Sequence, residues 1–156
     1  FLKAMKRDRL GSIVLAGYTI QEDGHLDGNA RLVVIRLTKN GRLDRTFGVN
    51  GVARPHLSEF RQVDDESLQR FLTTGLVLQP DGKIVVTGDY NFRFGVVRLK
   101  SGGGLDQTFF NHGEFVRWLR GGFGAAWDAT LDNRKRLVIS GGTQDGDFVV
   151  ARIIPG

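Results

Sequence analysis

Three arginines occupy matching places in this chain. Arg36, Arg98 and Arg152 each close an apolar run: Leu32-Val33-Val34-Ile35, Gly95-Val96-Val97 and Val149-Val150-Ala151. The first two precede an aspartate, Asp44 and Asp106, by eight positions. A guanidinium is a rigid planar fork of donors, suited to a carboxylate or to an anionic ligand. The expectation is structural: an Arg–carboxylate pair within each repeat, the fork serving the Asp or turn carbonyls. A ligand anion is the alternative.

Other residue types with chemical potential are weaker. Gln21 to Asn29 is acidic and Gly-rich, with His25 and Asp27 at its centre. Its oxygens could ligate Ca²⁺, but the spacing lacks the Asp-x-Asp-x-Asp-Gly frame and its closing Glu, so it reads as a long turn. Gly102-Gly103-Gly104 and Gly121-Gly122-Phe123-Gly124 could cradle phosphate only if a helix followed, and no helical pattern does. His25, His56 and His112 have no paired-ligand spacing and no nucleophile elbow. Cys is absent, which excludes disulfides and thiolate metal sites. No catalytic residue, metal or cofactor is expected, and the chain is not read as an enzyme. Trp118, Trp127, Phe109, Phe110, Phe115 and Phe123 are expected to pack between sheets, with stacking on a sugar or base as the alternative.

The elements that position these residues repeat. Leu76-Val77-Leu78-Gln79-Pro80-Asp81-Gly82-Lys83-Ile84-Val85-Val86-Thr87-Gly88 reads as strand, two-residue Asp-Gly turn, strand and glycine. Gly11-Ser12-Ile13-Val14-Leu15-Ala16-Gly17 and Arg136-Leu137-Val138-Ile139-Ser140-Gly141 repeat its second half. The arginine-bearing runs follow each time, and Leu43-Asp44-Arg45-Thr46-Phe47 matches Leu105-Asp106-Gln107-Thr108-Phe109. Arg36 to Arg98 spans 62 positions and Arg98 to Arg152 spans 54. That period, with several strands per unit, predicts an all-β protein of propeller blades or a β-array.

Each unit is expected to hold four antiparallel strands, a to d. Unit one places them at Leu2–Lys6, Ser12–Ala16, Arg31–Leu37 and Val52–Leu57. Unit two places them at Phe71–Leu78, Lys83–Thr87, Phe92–Leu99 and Glu114–Leu119. Unit three has Ala126–Thr130, Arg136–Ser140 and Phe148–Ile153. The repeats therefore run 1–57, 58–119 and 120–156 in one continuous domain, about two and three-quarter blades. A short helix over Asp64 to Leu72 is a weaker alternative to a loop.

Composition narrows the class. At 40% hydrophobic residues the chain can fold around a core. Its 22 glycines, about twice the usual share of roughly 7%, suit many short turns. No apolar run approaches the ~18 residues of a membrane span. The net charge of +5 could indicate a polyanion partner. However, the basic residues are scattered, apart from Lys3-Lys6-Arg7-Arg9 and Arg134-Lys135-Arg136. Both clusters fall at expected hairpin turns without interleaved aromatics. Solvated turns are favoured over anion patches, and no nucleic acid is expected. The chain opens Phe1-Leu2-Lys3, as expected of a trimmed or processed chain or a fragment.

These phrases resemble the delta-60 repeat family, whose pattern runs apolar strand, Gln-Pro-Asp-Gly-Lys, β-branched strand and Gly, apolar-Ala-Arg-Leu, Leu-Asp and Thr-Phe-Gly. The middle unit carries it in Leu78 to Lys83, Val97-Arg98-Leu99 and Leu105 to Phe109. The first unit carries Arg36-Leu37, Asn40-Gly41, Leu43-Asp44 and Thr46-Phe47-Gly48. Arg9-Leu10-Gly11-Ser12 and Asp132-Asn133-Arg134-Lys135 replace the Pro-Asp-Gly-Lys turn, and Phe110 replaces the last Gly. The resemblance implies a β-propeller-like stack in a bacterial protein that is exported to periplasm, surface or exterior, and it implies no catalytic activity.

The expected function is a non-enzymatic binding or scaffolding module. A lectin-like carbohydrate binder is the first alternative, and a hydrolase accessory domain the second. The variable loops Tyr18 to Asn29, Asp89 to Arg93 and Gly142 to Asp147 should share one binding face. Its candidates are Tyr18, His25, Asp27, Tyr90, Arg93, Trp118 and Asp145. Expected partners are other chains or further repeats that complete a ring, and a protein or glycan ligand. A lone monomer is not expected.

Overall fold

The computed structural model describes residues 1–20, 30–58, 70–120 and 122–153. They form three antiparallel sheets. The first joins β1 (Leu2–Arg7), β2 (Ile13–Ile20), β3 (Ala30–Leu37) and β4 (Val52–Ala53) in chain order. The second joins β5 (Phe71–Leu78), β6 (Ile84–Tyr90), β7 (Arg93–Leu99) and β8 (Glu114–Arg117) in the same order. The third joins β9 (Gly124–Leu131), β10 (Leu137–Thr143) and β11 (Phe148–Ile153). Among the described residues there is no α-helix, and no helix long and apolar enough to cross a membrane. The alternative helix over 64–72 falls mostly outside the described residues; Phe71 and Leu72 belong to β5.

One turn design joins the first two strands of every sheet. Asp8, Gln79 and Asp132 each donate a backbone N–H to the carbonyl four residues on, at Ser12, Lys83 and Arg136. Each also accepts from the backbone of the residue three on, Gly11, Gly82 or Lys135. Those three have φ of +90°, +84° and +62°. Within the middle unit's Pro80-Asp81-Gly82 turn only Gly82 has positive φ, so the connection is not the two-residue Asp-Gly turn expected. It is a turn closed by a left-handed residue, because Pro80 holds φ negative at the start. Where Pro-Asp-Gly-Lys is lost, an aspartate side chain replaces it. Asp8 Oδ1 accepts the N–H groups of Leu10 and Ser12, and Asp132 Oδ1 those of Arg134 and Arg136.

The glycine after each second-strand run answers a bulge. The first strand carries one extra residue at equivalent places: between Leu2 and Ala4, between Thr73 and Gly75, and at Trp127 between Ala126 and Asp128. Opposite lie Gly17, Gly88 and Gly141. A Cβ on Gly88 would strike the Leu72 carbonyl and come within 2.9 Å of the Phe71 ring. A Cβ on Gly141 would strike the Ala125 carbonyl and come within 2.7 Å of the Phe94 ring. Bulges bend a strand and raise its twist, and here only a missing side chain lets the partner strand follow.

The sheets stack head to tail. Val14, Ala16, Leu32 and Val34 of the first sheet pack on Leu76, Ile84, Val86, Val97 and Leu99 of the second. The opposite face of the second sheet, Val77, Val85, Phe94 and Val96, packs on Ala126, Leu137, Ile139 and Ile153 of the third. The middle sheet is therefore buried on both faces, which explains the apolar runs Ile84-Val85-Val86 in β6 and Phe94-Gly95-Val96-Val97 in β7.

Several boundaries moved. The expected fourth strand of unit one shrinks to Val52–Ala53, since Pro55 has no N–H to continue the ladder. Its counterpart in unit two ends at Arg117. β2 and β6 run longer than expected, which converts the Asp89 to Arg93 loop into a tight turn with φ of +50° at Asn91 and +60° at Phe92.

Candidate functional site

The arginines form a repeated backbone clamp. In unit one, Arg36 Nε donates to Asp44 Oδ2 at 2.7 Å, and Asp44 Oδ1 accepts from the Thr46 hydroxyl at 2.7 Å and its N–H at 3.1 Å. In unit two, Arg98 Nε lies 2.8 Å from Asp106 Oδ2, and Thr108 serves Asp106 Oδ1 in the same way. Each guanidinium lies over a phenylalanine, 4.7 Å from the Phe47 ring and 4.4 Å from the Phe109 ring. Arg36 Nη1 also donates to the Ser101 carbonyl of the next unit, beside the Gly48 N–H to Gly102 carbonyl bond. Arg152 is exposed at the matching place on β11.

The clamp sets the carboxylates. Hydrogen bonds from the Thr46 side chain and backbone, with Arg36, hold Asp44 below the usual carboxylate value. Burial pushes Asp106 up, but Thr108, Arg98 and Lys83 together hold it below.

The end of the stack bearing the β6–β7 and β10–β11 turns carries a different arrangement. The Asn91-Phe92 turn is braced by Asp89, whose Oδ1 accepts the Phe92 N–H at 2.6 Å and whose Oδ2 pairs with Arg70 at 2.9 Å. The Arg70 guanidinium lies 4.3 Å from the Phe92 ring centre. Backbone bonds tie this turn to its neighbour: Gly124 N–H to the Phe92 carbonyl, and Gln144 N–H to the Phe123 carbonyl. Phe92 and Phe123 meet at 5.3 Å, and Trp118 reaches Phe123 at 6.0 Å. The Trp127 ring lies where a Cβ on Gly142 would be, so Gly142 is what admits it. The result is a cleft of about 280 Å³ between Phe92, Phe123 and Trp127, with Asp89, Thr143 and Gln144 as its polar members. Burial pushes the Asp89 carboxyl above its usual value, against the opposing charge of Arg70. Three aromatic faces with a carboxylate and an amide can stack on a flat apolar surface and bond hydroxyls beside it.

The candidate loop residues scatter. Tyr18 lies within β2 and stacks on Phe1 at 5.3 Å. His25 and Asp27 lie outside the described residues. Tyr90 is 0% exposed and donates its hydroxyl to the buried Glu114 at 2.8 Å, so it is no stacking face. Its place at the end of β6 turns it into the core. Arg93 lies over both Tyr90 and Trp118, bridging core and surface. Trp118 is exposed, as is Asp145 within the Thr143–Asp147 turn. His56 and His112 are both exposed, and His56 lies beside Arg31 and Arg54. Phe92 and Asp89 were missed as individual site residues. The signal was a polar and an aromatic residue in a link too short for a loop.

A family model described as a domain of unknown function (DUF5122), β-propeller, matches residues 11–47 and 79–109. No curated protein matches the chain. The two matched stretches end at the equivalent Phe47 and Phe109 of the clamp, and each includes the second and third strands of its sheet. Over those residues this all-β chain is similar to a β-propeller domain family whose function is unknown.

Proposed function

We propose that the chain is a non-enzymatic repeat module of delta-60 type, a β-propeller segment that serves binding or scaffolding in a larger ring of an exported bacterial protein. One observation carries this reading. Phe94 and Val96 on β7 are buried against the next sheet, at 1% and 0% exposure. Their repeat equivalents on β11, Phe148 and Val150, are 82% and 64% exposed. The third sheet thus keeps large apolar residues at the two positions by which the second sheet meets its successor. A further sheet of the same kind, from this polypeptide or another copy, is the occupant that face fits. Light scattering at low micromolar concentration tests it. Association, or poor solubility relieved by added repeats, is expected. A stable 17.3 kDa monomer with cooperative unfolding would count against it.

A second reading has its own support. The cleft of Phe92, Phe123 and Trp127 beside Asp89 and Gln144 has the composition of a carbohydrate subsite. Glycan-array binding that is lost on Trp127→Ala supports the lectin reading. Binding that ignores this substitution removes it.

A further inference from the structure

The two basic clusters of the sequence, more than a hundred residues apart, meet in one place. A cleft of about 300 Å³ opens at the turn end of the innermost strands, lined by Arg7, Arg9 and Lys135 together with Leu10, Leu78 and Leu131. It is continuous with a second cleft between β1, β5 and β9 that adds Lys6. Two of the cations break the repeat. Arg7 closes β1 where β5 and β9 close with Leu78 and Leu131. Lys135 occupies the left-handed turn position that units one and two give to Gly11 and Gly82, at φ +62°. A lysine there strains the backbone, and nothing in the turn requires its side chain.

Four other arginines are each paired with a carboxylate: Arg36 with Asp44, Arg70 with Asp89, Arg98 with Asp106 and Arg136 with Asp132. Arg7, Arg9 and Lys135 have no ion pair among the described residues. The one carboxylate in the cleft, Asp8, has Oδ1 committed to two backbone N–H groups. Gln79 lines the same cleft, and its Oε1 is buried without a hydrogen bond. The cleft therefore combines three cations against one carboxylate, three leucines and an unused acceptor.

We propose that this cleft binds a small amphiphilic oxyanion: one phosphate or carboxylate held by Arg7, Arg9 and Lys135, with a short apolar body on Leu10, Leu78 and Leu131. A protonated ligand oxygen would supply the donor that Gln79 lacks.

The test uses octyl phosphate below its micelle concentration, followed by amide chemical shifts. Saturable shifts at Leu10, Gly82 and Leu131 are expected, weakening with salt. Octyl glucoside and inorganic phosphate should each bind more weakly. The variants Arg7→Leu and Lys135→Gly install the repeat's own residues, so the fold is retained, and Lys135→Gly should melt higher while binding less. Each should weaken octyl phosphate about three- to fivefold, and the pair about tenfold or more. Equal binding of octyl glucoside, or an unchanged affinity in the double variant, would overturn the proposal. So would binding to vesicles of phosphatidylglycerol with none to the monomeric probe, which would make the patch a membrane-surface contact.

Discussion

Two copies of one side-chain constellation sit at different depths, and depth should decide what each contributes. Arg98 and Asp106 are nearly buried, at 6% and 3% side-chain exposure, whereas Arg36 and Asp44 keep 18% and 19%. Removing one partner of a buried pair strands the other and costs about 3–5 kcal/mol, while a solvent-touched pair contributes about 1 kcal/mol or less. Asp106→Asn should therefore destabilise by about 3 kcal/mol and Asp44→Asn by about 1 kcal/mol, read from urea midpoints at pH 7. Both carboxyls are held below 3.8 in the folded state. The unfolded chain then binds the proton more readily. Their contribution is full above the unfolded value and is lost as pH falls through the folded one. Asp89 works in the opposite sense, since its folded value is raised. Its contribution is present below 3.8 and lost as pH climbs through the folded value. Urea midpoints between pH 7 and pH 2 should fall along an acid limb that Asp106→Asn flattens. An unchanged limb would deny the clamp its role.

At the scale of the element, the bulge and its facing glycine shape each sheet. Gly88→Ala puts a methyl group into the Leu72 carbonyl and against the Phe71 ring, both fixed by the core. Overpacking of this kind costs about 1–3 kcal/mol, and Gly17→Ala should behave alike because its added Cβ meets the backbone of Phe1 and Leu2. Alanine at the open Gly102, where a Cβ meets nothing within 4 Å, is the control. Thermal melts that rank Gly102→Ala with Gly88→Ala would refute the account. This element scale also marks how far the sequence could be read. The strands were legible because Val85-Val86 and Val96-Val97 are apolar and β-branched between glycine-bearing turns. The clamp was legible in the eight-residue spacing of Arg36 to Asp44 and of Arg98 to Asp106. The glycine-ended strand was visible as a pattern, but the bulge behind it was not, since nothing in Thr73-Thr74-Gly75 or Ala126-Trp127-Asp128 announces an extra residue. The aromatic cleft was hidden for a related reason. Asn91 and Phe92 adopt left-handed backbone that only their tertiary braces, Asp89 and Arg70, make tolerable. Tyr90 was misjudged because strand alternation past Gly88 depends on how far β6 continues.

For the whole molecule, the head-to-tail stack has a consequence for assembly. The forward face of the third sheet shows Phe148, Val150 and Trp127, all more than half exposed. The backward face of the first sheet shows Met5, 65% exposed, in register with Leu15 and Ile35 across β1, β2 and β3. These are the two halves of an interface already made twice inside the chain, by Val14, Ala16, Leu32 and Val34 on their partners and by Val85, Phe94 and Val96 on theirs. Such a contact is heterologous, so it closes into a ring or continues as a filament. Two copies would supply about six sheets, within the ~4–8 of closed propellers. Phe148→Asp should therefore disrupt association from one face, and Met5→Asp from the other. Each variant alone should give chains blocked at one end. A mixture of the two should restore dimers and no larger species, because each contributes one intact face. Light scattering on the separate and mixed variants decides the matter. Dimers that persist in Phe148→Asp alone would mean that the copies meet through some other surface.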